Sequence, residues 1–388
     1  MLFALSAEQS ELATTVRNLL ARHSGSESVR EAVAGPKGYD EALWSTLCEQ
    51  IGAAALAIPE EYGGAGFSLF ETHIVLEELG RALTPSPLLG SGVVAAQAIL
   101  RSGDIDACER LLPGIAAGTS VAALAWAGAD GQWRCTGSDV TATEQGEWSL
   151  SGSAHLVLDG DSADVLLVVA STPTGSVALF EVDPTGPGVT RTRTPAMDTT
   201  LRLARTDFEQ ATGKLLVQDA HDMLATVHDL AAVAVTALQV GTAQRGLDMT
   251  VAFSKERVQF GRAIGSFQAL KHRMADMLVD VETARSASWA AGWSAAQDSD
   301  DLPRQAATAK AWCSDALNNV ASETVQLHGG IAITWEHDGQ MVFKRAHATS
   351  QLFGQPHEHR RRLLDLLGLT RPGSAQEQDP TCTSSTRR

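Results

Sequence analysis

The chain has 388 residues, 44% of them hydrophobic, which suffices for two or three domains around a large core. Its 46 acidic against 30 basic residues leave a net charge of -16, which excludes nucleic acid and anionic membrane as the main partner, since either requires a basic surface. The five cysteines, at 48, 108, 135, 313 and 382, are odd in number and lack a CxxC pair, so they are expected to be unpaired thiols of a reducing compartment.

In chain order, the first twelve residues, MLFALSAEQSEL, contain no basic leader followed by a long apolar run. No stretch reaches about 18 uninterrupted apolar residues, so a soluble, cytoplasmic protein is expected. Ser6-x-x-Gln9 reads as a capping box, and Leu12, Val16, Leu19 and Leu20 line one helical face. Trp44, Leu47 and Ile51 repeat the pattern, AIPEEYGGAGFS at 57–68 breaks it, and a Glu- and Leu-rich helix runs from Glu71 to Leu83 before the break TPSP at 84–87. Residues 1–116 are therefore expected to form a helical domain. Between 117 and 218 the texture changes to short apolar or alternating runs bounded by turn residues: VAALAW, EWSLSG, ADVLLVVAS, SVALFEV and LRLARTDF. These predict a small antiparallel barrel or sandwich.

From 219 to 370 helical spacing returns, beginning with Leu224, Val227, Leu230, Val233, Ala237 and Val240. Breaks at 260–266, 298–303 and 329–339 divide this region into four or five helices of a bundle, with a four-helix bundle at its heart. Residues 371–388 hold almost nothing to bury and read as a disordered tail. The fold class is thus α+β, with a β domain between two helical ones. The pair His357-x-His359 lacks companion ligands and faces arginines at 360–362, so no metal site is expected.

The stretch SKERVQFGRAIGSFQALKHRMADM at 254–277 carries Glu256-Arg257, Phe260-Gly261, Ile264 and Phe267-Gln268. It resembles the ERxxFGxxIxxFQ signature of the acyl-CoA dehydrogenase family. AIPEEYGG at 57–64, QLHGG at 326–330 and the segment from Lys344 to Arg362 follow in the family's order, so the resemblance covers roughly the first 370 residues. It implies FAD as cofactor, an acyl-CoA thioester as substrate, and an electron-transfer flavoprotein or similar acceptor. It also implies a flavin lying between the β domain and the bundle, with its ADP portion gripped by the neighbouring subunit.

On this resemblance Arg257 binds the FAD diphosphate, for which a guanidinium fork is suited. Taken alone, the same arginine would merely complement a helix dipole. Phe260 and Gln268 complete that wall. Gln326, His328, Gly329 and Gly330 resemble the loop that receives the ADP moiety, glycines being required where a backbone passes close to a ligand.

Other positions depart from the family. Its catalytic glutamate, which removes the α-proton while hydride leaves Cβ, falls here on Phe353, and the alternate base position on the long helix falls on Ala231. The flavin-ring segments correspond to LAWAGADGQW and SAHLVLDG, with Leu156 and Leu158 where a tryptophan and a threonine are expected and only Asp159-Gly160 recognisable. The chain therefore reads as the base-lacking subunit of a heteromeric acyl-CoA dehydrogenase of the actinobacterial steroid-CoA kind, completing its partner's FAD site in an α2β2 tetramer. The alternatives are a self-sufficient flavoenzyme with its base moved to Asp229, His357 or Glu358, and a flavin-free scaffold of the same fold.

Overall fold

The computed structural model describes residues 4–369; the expected disordered tail lies outside the described residues. Six α-helices come first: α1 (Ala7–His23), α2 (Ser26–Ala34), α3 (Glu41–Thr46), α4 (Leu69–Ala82), α5 (Ala96–Ser102) and α6 (Ile105–Ala116). The Ser6 box forms as read, with Ser6 Oγ accepting from Gln9 N and the Gln9 side chain accepting from Ser6 N, so two orphan amides of α1 are satisfied. Two π-helical stretches, Leu47–Ile51 and Leu88–Ala95, interrupt this region.

Strands β1 (Ala122–Ala125), β2 (Val140–Gln145), β3 (Glu147–Leu158), β4 (Val165–Ser171), β5 (Val177–Val182), β6 (Val189–Arg193) and β7 (Leu203–Val217) form one sheet. Pairing runs β4–β2–β3–β7–β5 and returns to β4, so five strands close a ring, with β1 added beside β4 and β6 beside β7. The sheet is mainly antiparallel, as expected of a small antiparallel barrel or sandwich, with β1 and β2 both meeting β4 in parallel. Inward residues such as Leu150, Ala154, Val168, Phe180, Phe208 and Ala211 fill the interior.

The rest is helical: α7 (His221–Glu256), then a small hairpin of β8 (Val258–Gln259) and β9 (Arg262–Ala263), α8 (Gln268–Ala296), α9 (Leu302–His328), α10 (Gly339–Gln351) and α11 (Pro356–Leu366). The extra break at 352–355 makes five α-helices among the described residues from 221 on. By length and composition α7 could cross a membrane, but 89% of its most apolar window is buried, which marks a core helix.

The chain clusters into two compact units. Among the described residues, one comprises the segment ending at Ala34, His73–Thr84 and Ala232–Leu363; the other comprises Gly35–Thr72, Pro85–Ala231 and 364–369. In the first, Leu247 on α7, Met277 and Val281 on α8, Leu317 and Val320 on α9 and Val342 on α10 share one apolar core. The second holds the barrel. Cys48, Cys108 and Cys313 are buried free thiols, whereas Cys135 is disulfide-bonded, against the expectation of five unpaired thiols.

Candidate functional site

Within the helical unit, α7 ends one residue before Arg257. The chain reverses through Phe260 and Gly261, both left-handed (φ 52° and 75°), the two-residue type I′ geometry that matches strand twist. Ile264 N donates to Arg257 O at 2.8 Å, and the rings of Phe260 and Phe267 meet edge-on at 6.1 Å, so Arg257 and Phe260 lie on one small hairpin that leads into α8 at Gln268. Phe260 is 92% exposed. Arg257 and Gln268 are exposed too, and no described residue pairs with the Arg257 guanidinium.

The QLHGG segment closes α9. Gly329 takes φ 69° and ψ -149°, which only glycine adopts readily, and a Cβ added at Gly329 or Gly330 would meet nothing within 4 Å. Gln326 is exposed; His328 is buried and donates from Nδ1 to Thr324 O at 2.7 Å. The His328 ring stacks on Phe253, near the end of α7, with centroids 4.5 Å apart. That contact brings the two motifs of this face, 69 positions apart at Arg257 and Gln326, to one end of the bundle.

The turn between α10 and α11, which contains Phe353, is held by buried polar groups that carry no motif in the sequence. Lys310 on α9 is fully buried, and its Nζ donates to Gly354 O (2.9 Å), Ser350 O (3.3 Å) and Ser314 Oγ (3.3 Å). Burial pushes the Lys310 pKa down to about 7. His359 Nε2 donates to Phe353 O at 2.8 Å, and Glu358 accepts from Gln355 N. Phe353 and Gly354 are left-handed (φ 54° and 99°), and Phe353 is buried. The apolar positions around Lys310 on α9 (Ala306, Ala309, Cys313, Leu317) give the one sequence signal: a lysine inside a buried stripe.

In the barrel unit, β3 bulges between Ala154 and Val157, turning Leu156 to φ 50°; Leu158 is buried. Asp159 is buried against Gly90, whose added Cβ would lie 2.9 Å from its carboxyl, and burial pushes its pKa up to about 7. Trp126, from LAWAGADGQW, is also buried. Its Nε1 donates to Arg134 O at 2.7 Å and its ring meets His228 edge-on at 6.1 Å. Asp229 and Ala231 are buried on α7, Asp229 lying 3.9 Å from His228 Nδ1. His357 is exposed, and Glu358 is engaged at the start of α11.

A helical domain, a closed β domain and a helical bundle, with an unpaired arginine and a bare double-glycine loop at one bundle end, define a flavoprotein dehydrogenase class. The chain belongs to the acyl-CoA dehydrogenase family. Residues 6–119 match the model of the acyl-CoA dehydrogenase N-terminal domain and residues 221–365 that of its C-terminal domain. It is 42% identical to acyl-CoA dehydrogenase IpdE2 of Mycobacterium tuberculosis (strain ATCC 25618 / H37Rv), over 92% of this chain and 96% of that protein. Among solved structures, a variant of the steroid ACAD Tcur3481-Tcur3483 matches with TM-score 0.85 and 32% identity, over 93% of this chain and 98% of that one. The ChsE4-ChsE5 complex from Mycobacterium tuberculosis matches with TM-score 0.86 and 29% identity, over 96% of this chain and 100% of that one. Members of the family, oxidoreductases acting on CH–CH bonds, use FAD.

Proposed function

We propose that this chain is the base-lacking subunit of a heteromeric acyl-CoA dehydrogenase, which lends an ADP half-site to a homologous partner in an α2β2 tetramer. The observation that carries this reading is the Phe253–His328 stack, which joins the exposed Arg257 hairpin to the bare Gly329-Gly330 loop. An unpaired, exposed guanidinium fits a diphosphate, and two glycines in open space let backbone approach it, so the residues present fit FAD. Arg257, Phe260, Gln268, Gln326, His328, Gly329 and Gly330 would hold that portion. When bound, FAD supplies the hydride acceptor for α,β-dehydrogenation of an acyl-CoA thioester.

The chain's own base positions offer no carboxylate: Phe353 is locked in a buried turn and Ala231 is buried. Leu156 and Leu158 replace the polar contacts of the ring segment, so the partner must bring the base and the ring bed. Because ChsE4-ChsE5 and Tcur3481-Tcur3483 are two-chain assemblies, the latter a steroid ACAD by name, a steroid-derived CoA ester is the proposed substrate class and an electron-transfer flavoprotein the proposed acceptor. The proposed assembly is soluble and cytoplasmic, with domains at 1–116, 117–218 and 219–370. Flavin stoichiometry tests the reading: two FAD per tetramer with a co-expressed homologous subunit is expected, and one FAD per chain in a pure homotetramer overturns it.

A further inference from the structure

A cavity of about 340 Å³, at the lower end of the range for small-molecule sites, opens among α1, the start of α2, α4, α7 and the segment at Asp338. Its lining belongs wholly to the helical unit, and none of the residues proposed to hold FAD contributes to it. Leu20, Val29, Leu83 and Met341, all buried, supply an apolar wall. Arg17, Arg81 and Arg245 supply guanidiniums, and Glu78 and Asp338 carboxylates. Both carboxylates are buried and already accept at each oxygen: Glu78 from Nε and Nη2 of Arg17, Asp338 from Ser26 Oγ, Arg30 Nη2 (2.9 Å) and Arg245 Nη2 (3.1 Å). Arg81 gives Nη2 to Asp248 at 2.7 Å. The side chains of Arg17, Arg81 and Arg245 are partly exposed, and each keeps an Nη1 with no partner among the described residues. Across these pairs four guanidiniums meet three carboxylates, which leaves one positive charge in excess. Gly25 and Ser26 line the cavity where α2 begins, and the first amides of a helix, lacking intrahelical acceptors, favour negative charge as well.

We propose that this cavity binds a small organic monocarboxylate, its hydrocarbon body against the apolar wall and its carboxylate on the free Nη1 donors. Guanidinium and carboxylate form charge-assisted hydrogen bonds, and the one excess positive charge matches one negative charge. A cationic ligand would find no free acceptor, because Glu78 and Asp338 are taken up by their own partners. An inorganic dianion would exceed the available charge and leave Leu20, Val29, Leu83 and Met341 uncovered. A neutral alcohol would cover them but leave the donors unused. Because the lining comes from α1, α2, α4 and α7, a bound carboxylate ties the first two helices to the bundle and stabilises the folded chain by mass action. The proposal is independent of how the chain uses FAD.

Calorimetric titration of the full-length chain with hexanoate, cyclohexanecarboxylate, hexanol and sulfate tests the proposal, with thermal unfolding as a second readout. At least one carboxylate is expected to bind once per chain and to raise the melting temperature, with hexanol and sulfate at least about ten-fold weaker. Two variants locate the site. Arg81→Gln removes a guanidinium whose only partner is the exposed Asp248, and should weaken carboxylate binding by about ten-fold or more. Ala21→Trp, at an exposed position of α1 that lines the cavity, should block binding altogether while the protein stays folded. Undiminished carboxylate binding in both folded variants places the ligand elsewhere in the chain and overturns the proposal. So does sulfate or hexanol binding as tightly as the carboxylates, which would remove the need for the wall or for the charge. Failure of both carboxylates to bind the folded natural chain at millimolar concentration overturns it outright.

Discussion

Replacing Lys310 with methionine keeps an unbranched side chain and removes its ammonium. Two effects oppose each other. Gly354 O, Ser350 O and Ser314 Oγ lose a buried donor, and a buried acceptor left unsatisfied costs about 1–3 kcal/mol. Against that, the fold no longer shelters a cation whose pKa has fallen from 10.5 to about 7. Because the folded value is the lower one, the unfolded chain binds more protons between pH 7 and 10.5, and the natural protein gains stability as pH rises through that window. A full proton of difference is worth about 1.4 kcal/mol for each pH step of one, so between pH 7 and 9 the natural chain should gain about 2 kcal/mol relative to Lys310→Met, which has no such group. Urea unfolding of both proteins at the two pH values reads the difference. Parallel pH dependences would show that Lys310 does not titrate inside the fold, and the account of its burial would fail.

Burial holds the His73 pKa down at about 3, with His73 Nε2 2.8 Å from Ser288 Oγ, so stability should fall as pH drops from 6.5 towards 3, and His73→Leu should flatten that limb in acid-unfolding curves. Gly354→Ala should destabilise the protein by about 1–3 kcal/mol in thermal unfolding, since φ is 99° and the new Cβ would lie 2.8 Å from His359 Nε2. Arg257→Ala should reduce FAD retention in the assembled complex by roughly ten- to a hundred-fold at unchanged melting temperature, because an exposed side chain supports the fold little while a charge-assisted bond is worth about 1.5–3 kcal/mol; equal flavin content would count against its assignment. The isolated homomer should turn over no acyl-CoA with an artificial electron acceptor, as Phe353 and Ala231 offer no base; rapid turnover would show that a base lies elsewhere.

Long periodic segments were legible in the sequence because their signal repeats over many residues: α7 begins at His221 and α8 at Gln268, where helical spacing starts. The break between them was legible too, but not its form, since two-residue strands have no period to detect. β6, VTRTR, was missed because it is largely exposed and has no apolar face, and the parallel pairing of β1 with β4 depends on a partner 43 residues away. In the candidate site, Arg257 and the Gly329-Gly330 pair carry local motifs. The clamp on Phe353 does not: its donors come from Lys310 and His359, and a left-handed phenylalanine leaves no mark in the sequence.

The burial of α7 has a consequence during synthesis. Leu247 shares its core with Val342 and Ala346, about a hundred residues further along. At roughly 5–20 residues per second the ribosome needs on the order of 5–20 s to supply them. For that interval a 36-residue helix, apolar enough to pass for a membrane span, has α4 against it but lacks α8, α9 and α10. The apolar face that α8, α9 and α10 will cover is exposed on the nascent chain until they arrive, and the order of their arrival decides how long that exposure lasts.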